Sequence, residues 1–316
     1  MLHSGKNNKP IYYLCNYAQM LVPDALYRRR LPSILKSLNT RSDRGYILDR
    51  VNYYCRLAQQ TSLGPDSRAL YEHKPGTQKV YFFDAHRYTR YFPSSLRWAH
   101  IDGDVTTVQP YPTIVKSRPI YDDNANNILL KLNAIRHFIY IKDKLSFADK
   151  LNIAIFRGKV KDKPLRKRFF QQYFGNPLCD LGDTSKAGDN PPEWKTPKIS
   201  IYKHLQYRYI LSLEGNDVAS NLKWVMSSNS LAVTTKPRFE TWFMEGRLKA
   251  GVHYVEIKDD FSNLEEKIDY YNAHIREAQR IIDNAHAWVE QFRDRRREQL
   301  ISLLVLEKYF RMTGQL

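Results

Sequence analysis

Apolar residues recur at three- and four-residue spacing over residues 24–38 and 44–59, with Pro23 and Pro32 as punctuation, and this predicts two helices early in the chain. Leu63-Gly64-Pro65-Asp66 reads as a turn. Short runs rich in aromatic and β-branched residues then predict strands at 79–83, 98–101 and 113–116, with a short helix at 88–92 and a longer one at 126–140. From Lys150 the order repeats. The apolar run 151–156 ends abruptly at Arg157-Gly158, and helical spacing follows over 164–174. Residues 180–197, rich in Gly, Pro, Asp and Asn, read as a surface loop. Further strands are expected at 209–213, 231–234 and 253–257, a helix at 217–226, and nearly continuous helix from Ser262 onward. Strands alternating with helices predict an α/β protein made of two Rossmann-like halves and a long C-terminal helical region.

Charge changes the picture. The 316 residues carry a formal net charge of +17, of which +11 falls on residues 1–150, while 42% of residues are hydrophobic. Such a composition builds a folded core, so the charge belongs to a folded surface. Three partners fit it: nucleic acid, an anionic membrane surface, or an anionic small substrate. Arg28-Arg29-Arg30 is the one tight basic cluster of the first half. Aromatics interleave with basic residues at Tyr81-Phe82-Phe83 and over 88–92, which suits either a single-strand stacking platform or an ordinary half-buried surface. Arg293, Arg295, Arg296 and Arg297 suit a solvated helix face or a contact with anionic lipid. The longest apolar runs, such as 300–306, are far short of the roughly 20 residues a membrane-spanning helix needs. Residues 1–10 hold Lys6 and Lys9 without an apolar stretch behind them, so no export signal is expected and the cytoplasm is the expected compartment. Cys15, Cys55 and Cys179 are few and widely spaced, as reduced core thiols would be.

Three segments join a strand end to polar residues. Glu214-Gly215-Asn216-Asp217-Val218-Ala219-Ser220-Asn221-Leu222-Lys223-Trp224 follows the strand at 209–213. Asp217 can cap the next helix, and Gly215, Ala219 and Ser220 are small enough to admit a diphosphate to backbone N–H groups. Arg157-Gly158 follows the strand at 151–156, where an arginine can grip phosphate oxygens in a fork or form a surface ion pair. Asp102-Gly103-Asp104 follows the strand at 98–101 and reads equally as a turn, as the carrier of a general base, or as a carboxylate pair sharing a divalent cation. Phosphate-loop, nucleophile-elbow, His-Glu-X-X-His and Cys-X-X-Cys patterns are all missing, which takes most of the weight from kinase-like, hydrolase-like and zinc-dependent readings.

The stretch 209–224, then Ser228-Asn229-Ser230-Leu231, His253-Tyr254-Val255 and residues 260–264, resembles glycosyltransferase family 90. Upstream, Gly103-Asp104-Val105, residues 112–120 and Ile155-Phe156-Arg157-Gly158 resemble its bacterial, lipopolysaccharide A protein branch, so the likeness covers about residues 80–270. The resemblance implies a GT-B-like enzyme of two Rossmann-like domains facing a cleft: residues 1–145 on the acceptor side, 146–275 binding the UDP-sugar, and a C-terminal helix over 276–316. It implies an inverting transferase that needs no metal or other cofactor and acts on a bacterial cell-surface glycan or glycolipid. Partners would be a UDP-sugar donor and a glycan acceptor, with the anionic inner-membrane surface as a further contact and no nucleic acid. By position Asp104 matches the general base, Arg157 and Gly158 the diphosphate loop, and Gly215, Asp217, Val218, Ala219 and Ser220 the nucleotide loop. Asn221 stands where the family's eukaryotic enzymes carry an arginine, so a phosphate contact is lost or passes to Lys223. Glu240 is the candidate for the ribose hydroxyls, and His253 is expected to be structural. A metal-dependent transferase using Asp102 and Asp104, and a basic nucleic-acid-binding protein, are the competing expectations.

Overall fold

The computed structural model describes residues 5–121 and 123–316; Met1–Ser4, the start of the segment read for an export signal, lie outside them. Two compact units emerge. Unit 1 holds residues 136–237 and 245–291 together with 5–7, and unit 2 holds residues 8–135, 238–244 and 292–316.

Unit 1 is built on a five-stranded, fully parallel sheet. Its spatial order is Cys179–Asp183, Leu151–Gly158, Tyr207–Leu211, Leu231–Thr234 and Val255–Glu256. Numbered along the chain this is the doubly wound order 2-1-3-4-5, whose winding reverses between the first and third strands. The middle strands bury both faces, which is why they stand out in the sequence as apolar runs. Ala154, Phe156, Leu211 and Val233 meet Phe169 and Phe170 of the helix Pro164–Tyr173 and Ile281 and Ile282 of the helix Ile275–Glu290 in one core. Two expectations change here. The loop at 180–197 contains most of the edge strand Cys179–Asp183, which pairing with residues 154–158 creates despite its turn-forming composition. The helix expected over 217–226 is only Leu222–Val225. Asn221, not Asp217, stands at its N-cap, and the Asn221 side chain instead donates to the Leu211 carbonyl at 3.0 Å.

In unit 2, Arg97–Ile101, Thr113–Val115 and Asn127–Leu129 run parallel, with Arg68–Ala69 antiparallel at one edge. Ser117–Pro119 pairs antiparallel with Phe239–Thr241. The expected strand at 79–83 and helix at 88–92 are a single helix, Lys79–Thr89. Tyr81, Phe82, Phe83, Tyr88, Tyr91 and Phe92 are all buried, so burial overrides the β-propensity of the aromatic run and no stacking platform for nucleic acid forms there. The helix expected over 126–140 gives way to the buried strand Asn127–Leu129 and one turn at Ala134–His137, divided by Asn133 at φ 52°. The helix Arg295–Met312 is a core element with residues 300–306 buried. Its N-terminus is capped by Asp294, and Arg297 pairs with Asp43 at 3.4 Å. Of the cysteines, all free, only Cys55 is a buried core thiol; Cys15 is exposed, contrary to expectation. Among the described residues no helix is long and apolar enough to cross a membrane.

Candidate active site

The carboxyl ends of Leu151–Gly158 and Tyr207–Leu211 flank the reversal of winding in unit 1, the place where open α/β sheets bind ligands. Glycine shapes both exits. A Cβ on Gly158 would come within 2.7 Å of the Phe156 ring, so only glycine lets the chain leave over that ring. The second exit folds on itself through the Gly215 N–H, which donates to the Asp217 carbonyl at 3.1 Å. Asp217, Val218 and Ala219 are buried there and Ser220 is half-buried.

Arg166, which the sequence did not single out, spans both strand ends from the helix Pro164–Tyr173. Its Nε donates to the carbonyls of Leu213 (3.2 Å) and Glu214 (3.1 Å), Nη2 to Leu213 (2.8 Å), and Nη1 to Lys159 (2.8 Å). One N–H of each terminal nitrogen is left over from these bonds. A Cβ on Gly215 would stand 3.2 Å from Arg166 Nη2, so the small residue keeps the approach to the guanidinium open. Burial, and then the charge of Arg136, bring the Arg166 pKa down to about 10, against the opposing pull of Asp217. Arg166 stays cationic near neutrality, and the positive charge of Arg136 acts on it. Such a place favours an anion. Lys163 ties the two exits together, its Nζ 2.5 Å from Asn216 Oδ1.

The other expected unit 1 residues are engaged within the fold. Arg157 Nη2 lies 2.5 Å from Asp180 Oδ1, and Nη1 donates to the carbonyls of Phe156 and Asp180. Asp180 is in register with Ile155, so the Arg157 guanidinium folds back along the neighbouring strand, and the forked contact expected of it is geometrically open to Arg166 instead. Lys223 is fully buried, with Nζ 2.6 Å from Glu245 Oε1. That pair and the Asn221–Leu211 bond brace the loop from within unit 1. His253 accepts the Lys249 amide at Nδ1 (2.9 Å) and packs on Trp288, a structural role.

In unit 2, Asp104 follows the strand Arg97–Ile101 across Gly103, whose φ of 98° suits glycine alone. Asp104 Oδ1 lies 2.5 Å from Nζ of Lys116, which is 2% exposed against 28% for the Asp104 side chain. A buried ammonium therefore holds a solvent-facing carboxylate. Desolvation raises the nearby Asp102 carboxyl to about 6, although solvent still reaches the residue. Among the described residues no group of three His, Cys, Asp or Glu side chains gathers as metal ligands would. Glu240 is completely buried: Oε1 accepts from Arg118 (2.8 Å) and Arg56 (3.4 Å), and Oε2 from the Tyr53 hydroxyl. It is a structural hub of unit 2.

The structure thus sets Gly215 beside Arg166 and puts Gly158, Asp217, Val218, Ala219 and Ser220 in the two strand exits of unit 1, with Asp104 and Glu240 in unit 2. Known proteins give this arrangement a context. The O-glucosyltransferase LpsA of Dichelobacter nodosus is 44% identical over 268 residues, 84% of this chain and 83% of that protein. The Glycosyl transferase family 90 profile matches residues 127–309, across the whole strand-end region of unit 1. With most of its length accounted for in this way, the chain belongs to glycosyltransferase family 90 and is a glycosyltransferase.

Proposed function

We propose that this glycosyltransferase moves a hexosyl or pentosyl group from a UDP-sugar to a hydroxyl of a bacterial cell-surface glycan, such as lipopolysaccharide core or capsule, with inversion at C1 and without a metal. The name of the relative favours glucose among the donors. The observation that carries the reading is Arg166 at the carboxyl ends of the switch-point strands beside Gly215, with the charge of Arg136 acting on it. A diphosphate placed there meets the leftover guanidinium N–H groups and the small residues Gly215, Ala219 and Ser220. Charge growing on the leaving UDP is stabilised most where such donors are already fixed.

Asp104 is the proposed base. It takes the proton of the acceptor hydroxyl as the oxygen bonds to C1, and the C1–O bond to UDP breaks with its electron pair leaving on the diphosphate. Lys116 orients the Asp104 carboxylate. Metal independence is supported by the chain's own cations, Lys116 beside Asp104 and Arg166 at the diphosphate. The GT-B-like assignment belongs to the same proposal, supported by the doubly wound order of unit 1. One observation favours a second reading in which Asp102 is the base: its carboxyl, at about 6, is nearer the value that suits a general base.

The test is a panel of UDP-glucose, UDP-galactose, UDP-xylose and UDP-N-acetylhexosamine donors, with and without EDTA. Turnover of one donor that survives the chelator is expected. Loss in EDTA with recovery on Mn²⁺ would replace this reading by the metal-dependent one, and Asp102→Asn costing more turnover than Asp104→Asn would move the base.

A further inference from the structure

Helices at a protein surface normally bury their apolar stripe and show solvent their polar face. The helix Lys9–Met20 does the reverse. Tyr12 donates its hydroxyl to Asp84 Oδ1 (2.7 Å), Asn16 is buried, and Tyr13 and Tyr17 set their rings edge-on against Phe83. The face turned outward carries Ile11, Leu14, Cys15, Ala18 and then Leu21 and Val22, a continuous stripe at helical spacing. Ile11 is 57% exposed, Leu14 70% and Leu21 85%. The following helix, Asp24–Lys36, extends the patch with Leu26 and has no buried residue at all. It carries Arg28, Arg29, Arg30 and Lys36, all exposed. A cavity of about 490 Å³ opens where the two helices meet, with Met20 and Val22 on its wall beside Arg28 and Lys74.

An exposed apolar stripe bordered by arginines matches one environment in both respects: apolar side chains enter the acyl boundary of a bilayer while the guanidinium groups stay at anionic headgroups. We propose that residues 9–36 form an interfacial docking surface for an anionic lipid bilayer. The charge complementarity separates this occupant from a second copy of the chain, which would bring like-charged arginine clusters together. It also gives a use to the part of the +17 that a nucleotide donor leaves over. Of the C-terminal arginines, Arg297 is half-buried and pairs with Asp43. The inference is independent of the donor chemistry, because its readout needs no sugar.

The experiment is sedimentation of the full-length protein with vesicles of phosphatidylcholine alone and of phosphatidylcholine mixed with phosphatidylglycerol. The wild type is expected to bind the mixed vesicles at least about tenfold more strongly, and less so as salt rises. Leu14→Glu with Leu21→Glu is expected to abolish binding, and Arg28→Ala with Arg29→Ala and Arg30→Ala to weaken it roughly fivefold per arginine. Leu21→Ser, at the most exposed position, removes apolar surface without touching the packed face and is expected to weaken binding measurably. All three should keep the melting temperature and UDP affinity of the wild type. Equal binding to both vesicle types, unchanged binding of the Leu14→Glu, Leu21→Glu protein, or a wild-type dimer that this variant turns into a monomer without any vesicle binding would overturn the proposal.

Discussion

Two places in the molecule, one in each unit, hold their charges in opposite ways. In unit 2, Arg118 and Glu240 pair with no exposure on either side, and Arg50 reaches Glu298 at 2.6 Å. Lys131 and the Trp242 indole N–H complete the coordination of Glu298. Every one of these charges has an internal answer, which makes the hub architectural. At the sheet end of unit 1, the charge of Arg136 acts on Arg166 and that of Asp217 pulls the other way, and glycine keeps the space beside the guanidinium open. A buried charge with its partner supports the fold, whereas cationic charge at a strand end invites an anion. Net charge alone does not distinguish the two cases.

The largest expected effect lies with the proposed chemistry. Asp104→Asn should lower kcat by about 10²- to 10⁴-fold while UDP affinity, read by calorimetry, stays nearly unchanged. Next comes the hub. Glu240→Ala leaves Arg118 buried without its carboxylate and should destabilise the protein by about 3–5 kcal/mol in thermal or denaturant unfolding. Replacing both partners, Arg118→Met with Glu240→Leu, should recover much of that loss, because neither charge is then stranded. Arg166→Met should weaken UDP binding by about 10- to 100-fold, the range of a lost charge-assisted hydrogen bond, with a smaller change in melting temperature than Glu240→Ala. Arg166→Lys should fall between, since an ammonium does not reproduce the fork.

A smaller effect depends on pH. Burial pushes the Glu298 carboxyl up, but Lys131 and Arg50 outweigh it and hold it below its ordinary value. A depressed carboxyl contributes stability above its unfolded-state value, about 4.3 for glutamate, and loses it as pH falls through the folded value. The difference in melting temperature between wild type and Glu298→Gln should therefore be largest around neutrality and shrink on acidification below about pH 4.

Much of the fold was legible in the sequence. The runs at 113–116, 151–156, 209–213 and 231–234 predicted strands because buried parallel strands need continuous apolar sequence. Where local preference and burial disagree, burial decided the outcome. Tyr81-Phe82-Phe83 is helical because its rings pack into unit 2, and Cys179–Asp183 is a strand because a neighbour supplies its ladder. The family was legible too, since the profile match spans the residues 209–224 that carried the resemblance. Arg166 was not, because nothing in Pro164-Leu165-Arg166 separates it from the basic residues around it. The clue was its position early in the helix that leaves the first strand of a doubly wound sheet, which becomes informative only once that sheet order is known. Glu240 shows the converse: a carboxylate near a strand reads alike whether it faces a ligand or the buried Arg118.

The central claim, that the anion site lies at Arg166 and not at the folded-back Arg157, is tested most directly by calorimetric titration of UDP into wild type, Arg166→Met and Arg157→Met. A loss of at least about tenfold for Arg166→Met, with a distinctly smaller loss for Arg157→Met, is the predicted result. Wild-type affinity in Arg166→Met, or the reverse ranking of the two variants, would contradict it.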